Sequence, residues 1–425
     1  MSRLIITGGQ QLKGEIIADG SKNAVLPILA ATLLNSGTSV IKNCPKLKDV
    51  EVALKILSNI GCKVKFDNGI IIVDSTTVNS TEIPVDLAAE MRSSIIFMGP
   101  MLARCGKVLI SFPGGCEIGP RPIDLHLKGL RSMGAKILDA YGGFLYCRAE
   151  RLKGCDIHLS YPSVGATENI MLASVFAEGE TCIYNAAKEP EIVDLQNFLI
   201  EMGVDISGAG SGTIYVKGKG NVKKLNDIEY TIMSDRIVTG TYMVASGITG
   251  GEVTIKNTIP GHLTAIISVL SEAGCNIRID ENQIYISGPK RPQAVDVIRT
   301  LPYPGFPTDM QAPLVSLLSI AKGTSIIIET VFENRYKHVD ELMRMGANIT
   351  QEGRIAVIRG VDRLIGASVH ARDLRGAAAL VLAGLAAEGE TIVNEVWHLD
   401  RGYENIEEVL SSLGALVRRE ALSKT

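Results

Sequence analysis

A glycine- and proline-rich stretch, residues 112–122, holds the residues whose types and spacing are best suited to chemistry. Cys116 lies in it next to Gly115, and Arg121 follows between two prolines. A cation near a thiol lowers the thiol's pKa below about 8.5, and the thiolate is the reactive form. A guanidinium group in such a loop has little core to support, and it binds phosphate or carboxylate bidentately. The stretch therefore predicts a reactive thiol beside an anion-binding site.

Basic residues also stand in the first turns of four apolar segments that we predict to be buried helices. They are Lys22, Arg92, Arg236 and Arg375. A cation in this position opposes the helix dipole at a cost of a few tenths to about 1 kcal/mol. Four such residues together favour helix N-termini that face an anionic ligand. For each one alone, a side chain in solvent or paired with a neighbouring Asp is an equally good interpretation.

Two other predicted helices begin with polar residues and no cation. Ser163-Val164-Gly165 opens one of them, and backbone N–H groups at such a start suit a diphosphate. Asp309 follows Thr308 at the start of the other, where its simplest role is N-capping. Both starts are therefore candidates for a ligand contact as well as for a purely structural role.

A sixfold repeat must position these residues. In each copy a β-branched strand headed by one glycine leads, through a polar loop and an amphipathic stretch, to a second glycine. The pairs are Gly37 and Gly61, Gly106 and Gly134, Gly179 and Gly203, Gly251 and Gly274, Gly323 and Gly346, and Gly389 and Gly414. The second glycine follows the first by 23 to 25 residues in five copies and by 28 in the second copy. The surplus falls on residues 112–122, so the repeat departs from its template where the thiol lies.

An apolar segment of roughly 16 residues precedes each of these strands. The six segments are residues 21–36, 91–105, 163–178, 234–249, 308–322 and 373–388. They are apolar almost all round, which predicts helices buried inside their domain, with strands and amphipathic helices around them. Six such units predict an α/β fold of two domains with three units each.

The two predicted domains divide the chain unevenly. Residues 3–20 precede the first buried helix and look like a strand pair that could complete the last unit. We therefore predict a discontinuous domain of residues 1–20 and 230–425, and a second domain of residues 21–229 that carries the Cys116 loop.

Composition excludes several classes of protein. The chain has 425 residues, of which 46% are hydrophobic and 21% charged, so it is globular and large enough for two domains. A net charge of −3 leaves no general basic surface for nucleic acid or a membrane. Its apolar runs are shorter than the about 18 to 20 residues of a bilayer span, and its N-terminus lacks a signal pattern, so we expect a cytosolic protein. Eight cysteines without a CxxC pair indicate reduced thiols rather than disulfides or a zinc site.

Seven strings over the whole chain resemble those of the enolpyruvyl transferases, the EPSP synthase family, in its branch that acts on a nucleotide sugar. They are residues 20–24, residues 113–116 with 119–126, and residues 163–167, 306–312, 329–335, 373–375 and 400–404. The family fold consists of two inside-out α/β domains of three repeated units each, in which buried helices are surrounded by strands and outer helices. This fold agrees with the repeat count reached from the residues.

The resemblance also implies a reaction. The enolpyruvyl group of phosphoenolpyruvate moves to the 3′-hydroxyl of UDP-N-acetylglucosamine by addition and elimination in a closing cleft, and phosphate is released. This is the first committed step of peptidoglycan precursor synthesis, and it implies no cofactor, no metal, and no nucleic-acid or membrane partner. The resemblance sets no oligomeric state.

The resemblance assigns four residues to catalysis. Cys116 is implied as the general acid toward C3 of phosphoenolpyruvate and as the site of covalent adducts, including the one formed by the epoxide phosphonate fosfomycin. Asp309 is implied as the base for the sugar hydroxyl, and Lys22 and Arg401 complete the set. The residues implied to bind phosphoenolpyruvate are Lys22, Asn23, Arg121, Arg335, Arg375 and Arg401. For Arg335 and Arg375, pairing with the acidic neighbours Glu333 and Asp373 is the alternative.

A second set of residues is implied to recognise the nucleotide sugar. It consists of Asn23, Arg92, Arg121, Pro122, Ile123, Asp124, Leu125, Ser163, Val164, Gly165, Asp309 and Val331. Some relatives carry a Lys two residues before Ser163, where this chain has Tyr161, which puts one cationic contact to the diphosphate in question. His126 is open to a catalytic role and to a structural role within its loop.

Three alternative functions fit the sequence less well than transfer to a nucleotide sugar. A related transferase that acts on shikimate 3-phosphate shares the scaffold and the cations but lacks the cysteine loop, so residues 113–122 weigh against it. A catalytically silent paralogue that binds nucleotide sugar or a partner protein has no chemical reason to keep Lys22, Cys116, Asp309 and Arg401. An RNA-end-processing enzyme of similar architecture would need a basic surface, which the net charge denies.

Overall fold

The computed structural model describes residues 2–111, 123–140, 143–222 and 224–421. Three of the predicted site residues, Cys116, Arg121 and Pro122, lie outside these ranges. The described residues form two compact units. The terminal unit contains the residues up to Asp19 and those from Ser234 onward, and the central unit contains the described residues from Gly20 to Met233.

The elements are numbered along the chain. The strands are β1 (Ser2–Thr7), β2 (Lys13–Ile17), β3 (Thr38–Lys42), β4 (Lys63–Asp67), β5 (Ile70–Asp74), β6 (Lys107–Ser111), β7 (Lys136–Ala140), β8 (Phe144–Arg148), β9 (Asp156–His158), β10 (Glu180–Tyr184), β11 (Asp205–Ser207), β12 (Thr213–Lys217), β13 (Ile228–Thr231), β14 (Glu252–Lys256), β15 (Asn276–Ile279), β16 (Gln283–Ser287), β17 (Val297–Arg299), β18 (Thr324–Ile328), β19 (Asn348–Glu352), β20 (Ile355–Arg359), β21 (Ser368–His370), β22 (Glu390–Asn394) and β23 (Leu416–Ala421). The α-helices are α1 (Lys22–Ala31), α2 (Lys48–Ile60), α3 (Val85–Glu90), α4 (Met98–Cys105), α5 (Asp124–Ser132), α6 (Val164–Ser174), α7 (Pro190–Glu201), α8 (Arg236–Thr249), α9 (Thr264–Glu272), α10 (Gln311–Leu318), α11 (Val339–Arg344), α12 (Leu374–Ala386) and α13 (Ile406–Ser412). Short 3-10 helices span Thr32–Leu34, Arg92–Phe97, Pro260–Leu263, Thr308–Met310 and Val396–Arg401.

The strands of the described residues form six sheets, three in each unit. The terminal unit holds the orders β21-β22-β1-β23, β15-β16-β14-β2 and β17-β18-β20-β19, and the central unit holds β13-β3-β5-β4, β11-β12-β10-β9 and β6-β8-β7. Except for β6, each glycine-headed strand lies between one parallel and one antiparallel neighbour. The second glycine of every repeat has φ between 91° and 106°, a left-handed conformation that glycine adopts without steric cost. The sixfold pattern in the sequence therefore corresponds to six sheets of related topology.

The predicted strand pair at the N-terminus is only partly correct. β1 completes the sheet of the last repeat, where it pairs with β22 and β23. β2 instead runs parallel to β14 in the sheet of the fourth repeat. In the fifth and sixth repeats, β17 and β21 are the parallel neighbours of β18 and β22. The fourth repeat is the first after the chain enters the terminal unit, so β2 takes this place beside β14. β13 supplies the same partner to β3 in the central unit.

Six apolar helices form the centres of the two units, as predicted. α8, α10 and α12 pack against one another in the terminal unit, and α4 packs on α6 in the central unit. Gly99 lets α4 approach α6 closely, since a Cβ atom there would lie 2.3 Å from the carbonyl oxygen of Asn169. Within the described ranges, none of the helices has both the length and the apolar composition needed to cross a bilayer. The seven cysteines in these ranges are free thiols, and five of them are buried.

Candidate active site

Asp309 lies between two arginines in the terminal unit. Its Oδ1 accepts a hydrogen bond from Nη2 of Arg335 at 2.5 Å, and its Oδ2 accepts one from Nη2 of Arg375 at 2.9 Å. The two arginine side chains are 3% and 5% exposed, whereas the carboxylate is 27% exposed. Hydrogen bonds between ionised groups are about twice as strong as neutral ones. The implied base and two implied phosphoenolpyruvate ligands therefore form one cluster.

The acidic neighbours of these arginines have other partners. Glu333 forms its ion pair with Arg354. Asp373 caps α12, where its Oδ1 accepts from the backbone N–H groups of Arg375 and Gly376 at 3.0 and 2.9 Å. Pairing with Glu333 or Asp373 is thus the wrong interpretation of Arg335 and Arg375.

N-capping is also the wrong interpretation of Asp309. The residue lies inside the 3-10 helix Thr308–Met310, whose N-cap residue is Pro307 and which has no side-chain cap. The Asp309 carboxylate points instead to the two guanidinium groups. The Asp309 side chain is 27% exposed, so part of the carboxylate is open to solvent.

Tyr403 supports Arg375 from the other side. Its hydroxyl accepts from Nη1 of Arg375 at 3.2 Å and lies 2.9 Å from the hydroxyl of Thr241. Burial alone would lower the pKa of Arg375, but the Asp309 carboxylate outweighs it and raises the pKa above its usual range. Burial raises the pKa of Tyr403, so its hydroxyl is neutral. Arg375 is therefore a permanently charged group in a fixed position.

Glu329 is a buried carboxylate that the sequence reasoning did not single out. It is 1% exposed and accepts four hydrogen bonds. Its Oε1 accepts from the hydroxyl of Thr300 at 2.9 Å and from the N–H groups of Val331 and Phe332 at 2.8 and 3.1 Å. Its Oε2 accepts from the hydroxyl of Thr308 at 2.9 Å. Glu329 thus connects the start of the Asp309 turn to the loop that carries Val331. In the sequence it could have been found as a carboxylate that directly follows the apolar strand β18.

Arg401 is the remaining terminal-unit residue of the implied phosphoenolpyruvate site. It is half-buried and ends the 3-10 helix Val396–Arg401. Asp400, the residue before it, accepts hydrogen bonds from Nη1 and Nη2 of Arg419 at 3.0 and 2.8 Å. Arg419 lies outside every string that carried the family resemblance, so the sequence reasoning missed it.

Lys22 and Asn23 begin α1 in the central unit. The ammonium group of Lys22 lies 2.7 Å from Oδ2 of Asp49, and the two side chains are 12% and 3% exposed. The sequence left open that Lys22 pairs with a nearby Asp, and this contact is such a pair. Asn23, the next residue, is half-buried.

His126 connects several residues of the implied nucleotide-sugar site. Its Nδ1 lies 2.9 Å from Nδ2 of Asn169, whose Oδ1 accepts from the N–H of Gly99 at 2.6 Å. This orientation of the amide makes Nδ1 the acceptor and places the proton on Nε2. Burial, together with the charge of Arg92, lowers the pKa of His126 to about 4, although Asp124 opposes the shift. His126 is therefore a neutral, buried residue, as its structural interpretation requires.

The start of α6 lies next to this histidine. A Cβ atom on Gly165 would stand 3.3 Å from Nε2 of His126. Ser163, Val164 and Gly165 are half-buried, and the hydroxyl of Ser163 accepts from the N–H of Ala166 at 3.4 Å. Tyr161, in the position of the Lys of some relatives, is 42% exposed. Because the first N–H groups of a helix have no intrahelical acceptor, this start can bind an anion.

The described site residues thus fall into two groups. Those of the terminal unit are Asp309, Val331, Arg335, Arg375 and Arg401. Those of the central unit are Lys22, Asn23, Arg92, Ile123, Asp124, Leu125, Ser163, Val164 and Gly165. Ile123 and Leu125 are half-buried at the start of α5, and Asp124 is exposed.

The chain is similar to known proteins over almost its whole length. The sequence profile of EPSP synthase (3-phosphoshikimate 1-carboxyvinyltransferase) matches residues 6–410. A protein of Caldanaerobacter subterraneus subsp. tengcongensis named UDP-N-acetylglucosamine 1-carboxyvinyltransferase 2 is 57% identical over 419 residues, which cover 99% of this chain and 100% of that protein. A protein of Thermodesulfovibrio yellowstonii named UDP-N-acetylglucosamine 1-carboxyvinyltransferase is 49% identical, with coverage of 99% and 100%.

Two solved structures share the fold. The enolpyruvyl transferase NikO from Streptomyces tendae matches with a TM-score of 0.90 at 24% identity, and the match covers 99% of each chain. EPSP synthase from Acinetobacter baumannii matches with a TM-score of 0.75 at 20% identity, covering 99% of this chain and 100% of that one. These matches confirm the predicted α/β fold class.

Proposed function

The chain belongs to the EPSP synthase family, and from this premise we propose that it transfers the enolpyruvyl group of phosphoenolpyruvate to the 3′-hydroxyl of UDP-N-acetylglucosamine. Phosphate is the second product. The acceptor is proposed from the names of relatives that are 57% and 49% identical over essentially the full chain. The reaction would be the first committed step of peptidoglycan precursor synthesis.

The geometry of Asp309 carries the chemical part of this proposal. The reaction must remove a proton from the sugar hydroxyl while two anionic groups of phosphoenolpyruvate are held nearby. The Asp309 side chain is 27% exposed and a carboxylate can accept the hydroxyl proton, and Arg335 and Arg375 place positive charge on either side of it. A carboxylate held between two buried guanidinium groups thus combines a base with an anion site.

The addition step balances with one acid and one base. The sugar 3′-oxygen bonds to C2 of phosphoenolpyruvate as its proton passes to Asp309, and C3 receives a proton to become a methyl group. Elimination then removes a proton from that methyl group and expels phosphate, which restores the double bond. We assign the protonation of C3 to Cys116, and the binding of phosphate and carboxylate to Lys22, Asn23, Arg121, Arg335, Arg375 and Arg401.

The central-unit group suits the nucleotide part of the acceptor. We propose that the start of α6 binds the diphosphate through backbone N–H groups and that Arg92 adds a positive charge beside it. Arg121, Pro122, Ile123, Asp124 and Leu125 would contact the nucleotide, and Val331 the sugar. Tyr161 has a hydroxyl group where some relatives have the positive charge of a Lys. Binding of the diphosphate would therefore depend more on the N–H groups at the start of α6. The free thiols in the described ranges favour a reducing compartment, and we place the reaction in the cytoplasm.

Phosphate release is the measurement that tests this function. The full chain is incubated with phosphoenolpyruvate and either UDP-N-acetylglucosamine or shikimate 3-phosphate. We expect release only with the nucleotide sugar. Release only with shikimate 3-phosphate would assign the chain to the other branch of the family, and no release with either would favour a binding protein without activity.

A further inference from the structure

The residues around Arg401 have a backbone that needs external support. The 396–405 segment starts after Glu395, which has φ of 60°, and ends at Asn405, which has φ of 42°. Residues other than glycine in this left-handed region cost of order 1–3 kcal/mol and persist where surrounding contacts hold them. The segment between them begins with a 3-10 helix, whose hydrogen bonds are poorer than those of an α-helix. The position of Arg401 therefore depends on contacts from outside the segment.

Arg419 supplies such contacts from the last strand. It lies on β23 opposite Leu4 of β1, so its backbone is fixed within a four-stranded sheet. Its guanidinium group bonds both oxygens of Asp400 at 3.0 and 2.8 Å. It also bonds both oxygens of Glu407, in the first turn of α13, at 2.6 and 3.0 Å. One side chain thus joins the sheet, the 3-10 helix and α13 through two bidentate pairs, the geometry in which Arg is not replaceable by Lys.

The same segment also reaches Arg375, another implied phosphoenolpyruvate ligand. Gly402 lies against Leu374 at the start of α12, where a Cβ atom would come within 2.7 Å of the leucine side chain. Tyr403 receives a hydrogen bond from Arg375. A shift of the 396–405 segment would therefore displace Arg401 directly and Arg375 through Tyr403.

We propose that Arg419 is the positioning residue of the phosphoenolpyruvate end of the site, because it holds Asp400 and with it the 396–405 segment in the conformation that presents Arg401. This inference rests on the proposed function, in which Arg401 and Arg375 bind phosphoenolpyruvate. Arg419 itself contacts no reacting atom in this assignment.

The kinetic test compares two arginines that are neighbours on β23. Arg418→Ala is the matched control, because the Arg418 side chain is 65% exposed and lies 3.7 Å from Glu390. We expect Arg419→Ala to raise the KM for phosphoenolpyruvate about tenfold while the KM for UDP-N-acetylglucosamine stays within about twofold. We expect Arg418→Ala to leave both constants unchanged. Arg419→Lys, which keeps the charge but not the two bidentate pairs, should fall between the wild type and Arg419→Ala.

Asp400→Asn tests the same contact without changing Arg419. It should raise the KM for phosphoenolpyruvate in the same direction, and the effect of the double variant should be smaller than the product of the two single effects. A merely stabilising role of Arg419 would lower the melting temperature and the active fraction, hence the apparent kcat, and would leave both KM values alone. That result would overturn the proposal.

Trp397 provides a readout that does not depend on activity. It is the single tryptophan of the chain, is 54% exposed and lies in the same 3-10 helix, stacked on His398 at 3.6 Å between ring centroids. We expect acrylamide to quench its fluorescence more strongly in Arg419→Ala than in Arg418→Ala. Equal quenching in the two variants would refute the proposed support of the segment, whether or not the wild type has transferase activity. Unequal quenching with an inactive wild type would refute only the proposed function.

Discussion

Asp309 gains its chemical character from residues distant in sequence. Taken alone it is an ordinary helix-start aspartate, for which N-capping is the simplest role. Two guanidinium groups, 26 and 66 positions further along the chain, convert it into a fixed carboxylate with positive charge on both sides. A single substitution can therefore separate its role in proton transfer from the role of the arginines in binding.

Asp309→Asn is expected to lower kcat by about 10²- to 10⁴-fold, because the amide cannot take the proton of the sugar hydroxyl. Rapid-quench measurement of a single turnover, with both substrates saturating, gives the rate of the chemical step. Glu333→Gln is the control, since Glu333 pairs with Arg354 at the surface and should not affect that rate. Weaker binding with an unchanged single-turnover rate would contradict the assignment of Asp309 as the base.

Cys116 allows a second test at the scale of one residue. Cys116→Asp should keep measurable activity, because a carboxyl group can donate a proton, and Cys116→Ser should lose most of it, because a hydroxyl is a far weaker acid. The measurement is phosphate release at saturating substrates. A fully active serine variant would exclude the acid role.

Covalent labelling gives a readout for Cys116 that does not need turnover. Fosfomycin should add to one thiol, and peptide mass mapping should locate it at Cys116. The cysteines of the described residues serve as internal controls, because burial raises the pKa of thiols such as Cys44 and Cys147 to about 12 and keeps them unreactive. Label on one of these instead would argue against the proposed site.

Two of the terminal-unit site residues lie in short elements rather than in long helices. Asp309 lies in a three-residue 3-10 helix and Arg401 ends a six-residue one. Such turns have weak internal hydrogen bonding, so side chains from other elements must hold them. The carboxylate of Glu329 holds the first turn and the guanidinium group of Arg419 holds the second. Each forms four hydrogen bonds to its surroundings.

Thr308→Val and Thr300→Val form a matched pair that tests the support by Glu329. Each removes one hydroxyl that donates to a different oxygen of the same buried carboxylate. Thr308→Val removes the hydroxyl donor of Oε2, and Thr300→Val also removes the acceptor of the Thr330 N–H, which lies 2.9 Å from it, so both should destabilise the protein by about 1–3 kcal/mol. Only Thr308→Val should also lower kcat, by about three- to tenfold, because Thr308 adjoins Asp309. Thermal unfolding and steady-state kinetics on both variants provide the comparison, and equal kcat values would mean that Glu329 stabilises the fold without positioning Asp309.

At the scale of the whole molecule, each unit contains a carboxyl group that burial makes hard to ionise. Burial, with Glu404 and Asp235, raises the pKa of Asp19 in the terminal unit to about 6. Burial raises the pKa of Asp194 in the central unit to about 6 as well, although hydrogen bonds from Tyr230 and Met233 oppose it. A carboxyl group whose pKa is raised by folding stabilises the protein fully below the unfolded pKa, near 4, and loses that contribution as pH rises through 6.

Asp194→Asn should therefore change the pH dependence of stability. The asparagine can still accept the hydrogen bond that Tyr230 donates at 2.7 Å, but it has no charge to desolvate. A shift of about two pKa units corresponds to about 3 kcal/mol, so relative to wild type the variant should gain up to that amount between pH 4 and pH 7. Melting temperatures at pH 4.5 and 7.5 provide the measurement, with the exposed Asp205→Asn as control. Parallel pH profiles for Asp194→Asn and wild type would contradict the raised pKa.

Local patterns in the sequence were enough to predict much of the architecture. The spacing of glycines predicts six repeats, and the described residues form six related sheets. The second glycine of each repeat has a left-handed conformation, which glycine adopts without steric cost. The all-round apolar segments predict buried helices because no polar face is available for solvent. Membership of the family and the α/β fold are likewise confirmed. The division into functional domains and the roles of the site residues remain predictions.

The tertiary structure alone decided which groups meet. Arg335 lies two residues from Glu333 but bonds to Asp309, β2 joins β14 rather than β1, and Arg419 holds Asp400 from a strand outside every recognised string. Charge pairs and strand pairs depend on distances through space, and these are set by how the buried helices and sheets pack. A local pattern can specify that an element forms and which face it buries, but it contains no information on which distant side chain will lie opposite.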